Sequence, residues 1–268
     1  MKKNTFYQNG THQWHVLYDQ YERRVVDTNV YVLTINGESM LMDPGGYEIF
    51  PDVSHALISV AAPSSIKAVF ISHQDPDVIS SLPLWFAINP NITWYASKLW
   101  IGFIRHYGGI DANIVEIPDE GRDITLGGTA LKAVPAHYLH SAGNFHLYDP
   151  TARVMFSGDV GAALLPAGHS SFVDRRDTQS DDDAFKEHIA NANFFHQRWM
   201  PSNKAKNDWC TRVRKLDIDF LCPQHGAIYS GKNVGRFIDW FDNLNVGTGI
   251  DTTESQVTTL HHINKLVI

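Results

Sequence analysis

Cysteine is nearly absent from this chain: Cys210 and Cys222 are the two in 268 residues, and neither sits at zinc-ligand spacing. That argues against a disulfide scaffold. Both thiols are expected to be reduced, one on a helix and one at a strand end, in a cytoplasmic protein. A run of about 18 apolar residues is missing as well. Met1-Lys2-Lys3-Asn4 leads into polar sequence and not into a signal h-region, so neither a membrane span nor a secretory leader is expected. Excess basic charge is lacking: the net charge of −7 and pI near 6.0 count against nucleic acid or an anionic membrane as partner. Internal repeats and low-complexity segments are also lacking.

The chain is 43% hydrophobic and 19% charged, ample for a sizeable core. No composition break divides it, so a single domain over residues 1–268 is expected, with 245–268 as a peripheral or loosely ordered tail that could add a strand at Leu266-Val267-Ile268. Strand and helix patterns alternate. Strands are expected at Val30–Ile35, Ser39–Met42, Ile66–Ser72, Asn91–Tyr95, Ile114–Ile117, Leu131–Val134, Asn144–Tyr148, Arg153–Phe156 and Ile218–Cys222. Asn36-Gly37 reads as a hairpin turn. Helices are expected at Pro51–Ala62, Val78–Ile88, Asp182–Trp199, from beyond Pro201 to Leu216, at Asn233–Asn243, and up to His106 from a cap at Ser97. Strands in two batches with helices outside imply two sheets packed face to face and covered on both sides.

Six residues carry the chemistry. His73, Asp75 and Asp77 follow a buried strand at i, i+2 and i+4, a spacing that lets extended backbone aim all three at one spot. Pro76 suits the opening of a helix there. His140, Asp159 and His225 each close a further apolar strand-like run, beside the glycines Gly143, Gly158 and Gly226. A lone strand-terminal Asp or His is commonly a cap or a satisfied polar group. Clustering and recurrence in this order point to metal.

These motifs resemble those of the metallo-β-lactamase superfamily. Its H-x-[HED]-x-D-H motif corresponds to His73-Gln74-Asp75-Pro76-Asp77-Val78, its H-T-P-G turn to His140-Ser141-Ala142-Gly143-Asn144, its third motif to Gly158-Asp159 and its last to His225-Gly226. Asp43-Pro44-Gly45 matches its D-x-G, and the likeness runs from about Val30 to Trp240. It implies an α/β fold, the four-layer αββα sandwich, with a dinuclear site at the sheet edge. Hydrolase members usually carry histidine where Asp75 stands, and three carboxylates leave two divalent ions one bridging hydroxide short of neutrality. Hard oxygen donors with imidazole suit iron or manganese. The pattern is similar to the flavodiiron branch, and closest to stand-alone oxygen-binding diiron proteins.

That resemblance implies two iron ions bridged by an oxo, hydroxo or peroxo group, zinc or manganese being the other ions considered. His73, Asp75 and His140 would hold one iron, Asp77 and His225 the other, and Asp159 would bridge them. No catalytic residue beyond these ligands is implied. Val78 replaces the family's further histidine, so the second iron would have one ligand fewer. No FMN is expected in this chain, and Thr248–Thr253 is read as an ordinary turn. The implied function is to bind dioxygen, as a sensor or an oxidoreductase, with an outside electron donor or a signalling partner; a homodimer is implied by relatives only. The alternative is a dinuclear metallohydrolase of an ester, lactone, thioester or phosphodiester.

The remaining residues have plainer readings. His137 is supporting or surface, and His146 structural. His106, Tyr107 and Tyr138 are core or rim, with a donor role to bound oxygen as the sharper reading. His169 is a solvated loop residue, Arg175 and Arg176 beside Asp177 a surface cluster, and Asp181-Asp182-Asp183 a helix-opening acid run. Trp85, Trp94, Trp100, Trp199, Trp209 and Trp240 are mostly core anchors.

Overall fold

A computed structural model of the chain describes residues 1–18, 26–108, 111–165 and 182–249. Two sheets form within them. The first joins β1 (Lys2–Asn9), β2 (His12–Tyr18), β3 (Val30–Ile35), β4 (Glu38–Met42), β5 (Ile66–Phe70), β6 (Thr93–Ser97) and β7 (Asn113–Ile117) in sequence order. Its first four strands are antiparallel, and β4 to β7 pair in parallel. The second contains β8 (Arg122–Leu126), β9 (Thr129–Pro135), β10 (Phe145–Asp149), β11 (Val154–Gly158), β12 (Phe220–Pro223) and β13 (Tyr229–Ser230), in the order β13-β12-β11-β10-β9-β8. The β3–β4 hairpin turns through Asn36 and Gly37, at φ of 50° and 81°, the left-handed pair that a two-residue hairpin requires.

Side-chain alternation sorts each strand between two cores. Tyr31 and Leu33 of β3 point inward with Met40, Phe70, Phe145, Leu147 and Phe156, filling the space between the sheets. Val30 and Val32 point the other way, onto α1 (Phe50–Leu57) and α3 (Leu82–Ile88), where Val53, Leu57, Leu82 and Trp85 are buried. On the far side Tyr148, Met155 and Leu221 meet α5 (Asp182–Trp199), α6 (Asn203–Val213) and α7 (Lys232–Asn243). The layers run helix, sheet, sheet, helix: the expected αββα sandwich. No helix among the described residues is long and apolar enough to cross a membrane.

Several boundaries differ from expectation. The helix read over Val78–Ile88 is two: α2 (Pro76–Ile79) and α3. Pro83 lies in the first turn of α3, a position that starts a helix rather than continues one. Ser97 ends β6, and its hydroxyl accepts from Leu99 N at 3.3 Å in the turn before the helix and not from the helix itself; α4 (Ile101–Ile104) begins after Trp100 and passes into a 3-10 turn closed by Gly108 at φ 101°. The helix expected to Ala62 ends at Leu57. Of the tail, Val246 is buried and Thr248 N donates to Gln197 O at 3.0 Å, so residues 245–249 pack against the end of α5. The readings at His169, Arg175, Arg176, Asp177, Asp181, the rest of the Thr248–Thr253 turn and Leu266–Ile268 lie outside the described residues.

Candidate metal centre

The six residues arrive from both sheets at one edge of the sandwich. Backbone hydrogen bonds pin these strand ends together: Phe145 N to Ser72 O at 2.9 Å, and Gln224 N to Gly158 O at 2.8 Å. Gly158 brings the two strand ends into close approach. Its φ is +52°, and a Cβ there would sit 2.9 Å from Ser72 Oγ, so only glycine lets Asp159 turn into the centre. Two local expectations change. His140 does not close a strand; β9 ends at Pro135, and His140 lies in the turn before β10. Asp77 does not share an extended run with His73 and Asp75. Pro76 starts α2, so Asp75 keeps extended backbone at φ −66° and ψ 151° while Asp77 enters through the first helical turn.

The structure gathers all six. His73 Nε2 and His140 Nε2 lie 3.6 and 3.4 Å from Asp75 Oδ2. Ligand atoms of these three residues fall within 4.8 Å of one another. His225 Nε2 lies 3.3 Å from Asp77 Oδ2. Asp159 stands between the two groups: Oδ2 is 2.9 Å from His140 Nε2 and 3.7 Å from His73 Nε2, and Oδ1 is 3.5 Å from His225 Nε2. His73, Asp159 and His225 are buried, and Asp75 and Asp77 are part-exposed at the rim.

Buried polar atoms are normally hydrogen-bonded. Here His73 Nε2, His140 Nε2 and Asp159 Oδ1 have no hydrogen-bond partner among the described residues, and all three face the cluster. The charges are mutually enforced. Burial alone would lower the His73 pKa, but the carboxylates of Asp159, Asp75 and Asp43 raise it to about 10. His225, likewise opposed by burial, is raised to about 9 by Asp77 and Asp159. Burial would raise Asp159, yet His73, His140 and His225 hold it well below the usual carboxylate range. Convergent imidazoles and carboxylates with orphaned lone pairs fit a divalent cation.

Supporting groups fix the rings. Ser72 Oγ donates to Asp43 Oδ2 and lies 2.8 Å from His73 Nδ1, while Ser72 N donates to Asp43 Oδ1 at 2.7 Å. His225 Nδ1 donates to the Asp27 carbonyl at 2.6 Å. Both arrangements leave Nε2 free to face the cluster. Gln74 joins two of the loops: its Nε2 donates to Asp75 Oδ1 at 3.1 Å, and its Oε1 accepts from Ser141 Oγ. Sequence reasoning noted Asp43 only as a motif and passed over Ser72 and Gln74. Their adjacency to His73 was the available signal.

Other residues fall where their plainer readings put them. His137 binds the carbonyls of Ala142 and Asp119 at 3.0 and 2.8 Å, away from the cluster. His146 is buried and accepts from Trp209 Nε1 at 3.2 Å. His106 and Tyr138 are exposed. Tyr107 is half-buried, and its hydroxyl donates to Gln74 O at 3.4 Å. Asp182 and Asp183 open α5. Of the tryptophans, Trp85, Trp94 and Trp209 are fully buried; Trp100 and Trp240 are half-buried and pack against the core clusters, and Trp199, 41% exposed, departs from the core reading.

Comparison with known proteins agrees with this architecture. Solved structures described as the peroxy diiron species and, from T. denticola, the apo state of the chemotaxis sensor ODP are both 34% identical over 97% of this chain. They are covered over 100% and 99% of their length, at TM-scores of 0.80 and 0.78. A flavo di-iron protein mutant from Thermotoga maritima is 22% identical over 90% of this chain and 60% of its own, with a TM-score of 0.75, a likeness of fold. An uncharacterised protein of Methanocaldococcus jannaschii is 22% identical over 245 residues, 90% of this chain; the chain spans 60% of that relative's length. Residues 26–226, from just before β3 to the glycine after His225, match the family described as ODP family beta lactamase, and the chain belongs to that family.

Proposed function

We propose that this chain is a non-haem diiron protein that binds dioxygen and acts as an oxygen sensor. The observation that carries the reading is the placement of Asp159, whose two carboxylate oxygens face two separate donor groups. His73, Asp75 and His140 would hold one iron, Asp77 and His225 the other, and Asp159 would span both. Bound ferrous iron would supply the electrons that dioxygen takes up on binding. The protein's own part is positional. Asp43 and Ser72 hold the His73 ring, and the Asp27 carbonyl holds that of His225, so each keeps an Nε2 lone pair on the centre. Leu139, Ala162 and Phe195, all buried, belong to the apolar cluster beneath the second sheet, and the Phe195 ring meets the His140 ring edge-on at 6.2 Å. Such packing keeps water from the inner wall of the centre. The likeness to a chemotaxis sensor supports sensing over turnover.

The test is to load the protein with ferrous iron under anaerobic conditions, measure metal content, and admit air. Two irons per chain and a visible charge-transfer band that decays slowly are expected. Rapid donor-dependent loss of O2 would make the protein a reductase instead. Colourless protein with two zinc ions and ester cleavage would overturn the reading. Asp159→Ala should lose both ions together; one ion kept at full occupancy would refute the spanning role.

A further inference from the structure

The ion assigned to Asp77 and His225 is the poorer in donors, because a buried, apolar Val78 stands where the superfamily motif has histidine. An amide lies beside Asp77. Gln224 immediately precedes His225 and is fully buried. Its backbone is tied at both ends, its N–H donating to Gly158 O at 2.8 Å and its carbonyl accepting from Asn29 N at 2.7 Å. Its side chain is aimed at Asp77, with Nε2 3.4 Å from Oδ2 and 3.5 Å from the backbone oxygen. Both contacts are at the outer limit of a hydrogen bond. The other end of the amide, Oε1, has no partner among the described residues.

A fully buried amide with two weak contacts and an orphaned oxygen is costly as it stands. The oxygen and nitrogen of glutamine are close to isosteric, and a half-turn about the last side-chain bond exchanges them. With oxygen toward Asp77, the separation from Oδ2 stays near that 3.4 Å. His225 Nε2 stands 3.3 Å from the same Oδ2, and the first group is spaced at 3.4 and 3.6 Å. Donors about 2.1 Å from a shared ion lie roughly 3–3.5 Å apart.

We propose that Gln224 is a further metal ligand, its side-chain amide oxygen completing the donor set of the ion held by Asp77, His225 and Asp159, in the place that Val78 leaves open. The inference rests on the two-ion reading above. A neutral oxygen donor suits a hard cation and adds no charge to a centre that already has three carboxylates. With four protein donors, that ion keeps positions open for an incoming molecule.

The test uses the full-length, metal-free protein titrated anaerobically with Co(II) and, separately, Fe(II), with bound metal counted after dialysis. Gln224→Leu should keep the first ion at wild-type affinity and bind the second about 10- to 100-fold more weakly. The visible Co(II) bands of the second equivalent should gain intensity as its coordination number falls. Gln224→Glu should keep both ions and bind the second more tightly than wild type. The proposal is overturned if Gln224→Leu takes up both ions with wild-type affinity and an unchanged Co(II) spectrum. Should Gln224→Leu fail to fold, Gln224→Glu decides, and an unaltered second affinity and spectrum overturns it. Wild-type protein that takes up a single ion would instead sink the two-ion reading itself.

Discussion

Asp43 lies fully buried two contacts away from the nearest ring nitrogen of the cluster, and it is tuned by it. Burial raises its pKa to about 7 against the opposing pull of His73 and the Ser72 hydrogen bonds. Asp43→Asn would keep the shape but weaken the hold on Ser72 and, through it, on His73. The affinity for the first ion should fall about 10- to 100-fold while the second stays near wild type, as read by anaerobic iron titration. Proton traffic gives a second check at this scale. In the metal-free protein His73 and His225 are raised to about 10 and about 9, so both are protonated at pH 7. A metal must displace those protons, and affinity should therefore rise with pH, about tenfold per unit for each displaced proton up to pH 9. Calorimetry in buffers of different ionisation enthalpy counts the protons released. The cluster itself was legible because His73, Asp75 and Asp77 crowd one short turn and His140, Asp159 and His225 recur after it in the superfamily's order, although each alone is commonly a cap. The carbonyl of Asp27 was not, since a backbone acceptor leaves no mark on residue identity.

Elements show a different limit. The central strands read clearly because Val30–Ile35 and Ile66–Phe70 are buried on both faces and nearly all apolar. The edge hairpin was missed: β1 buries only Phe6, and β2 mixes two histidines and a glutamine into its seven residues. Its anchor is equally hard to foresee, since Asp149 on β10 accepts from His12 Nε2 at 2.6 Å and Trp14 Nε1 at 2.8 Å across the two sheets. β8 carries a true period-two signal, with Ile124 and Leu126 inward, that a run of five residues made easy to overlook. The turn after β11 is the element the centre can least do without. Gly158→Ala would force a side chain into left-handed backbone and against Ser72. It should lower stability by roughly 1–3 kcal/mol in urea unfolding and reduce uptake of both ions.

Across the whole molecule the acid limb of stability is set away from the centre. Burial lowers His15 to about 4, His146 to about 3 and His196 to about 4. His196 shows why: its Nδ1 donates to Ala192 O at 2.8 Å, and its Nε2 accepts from Gly161 N at 2.9 Å, a role that protonation would abolish. Unfolded histidines take up protons near pH 6.5, so the unfolded state binds more protons below that value. The contribution of these three rings should be fully present above about pH 6.5 and fall progressively toward pH 4, each ring withdrawing on the order of 3 kcal/mol. Urea midpoints measured across that range would test it, and a flat profile would contradict it.

His73, Asp75 and Asp77 come from the end of one sheet, and His140, Asp159 and His225 from loops of the other. A pair of cations there would act as a rivet through both plates of the molecule. Loading would fasten the plates, and any change of charge or bond length at the rivet would be felt as a slight shear between them, carried outward to the helices on either flank.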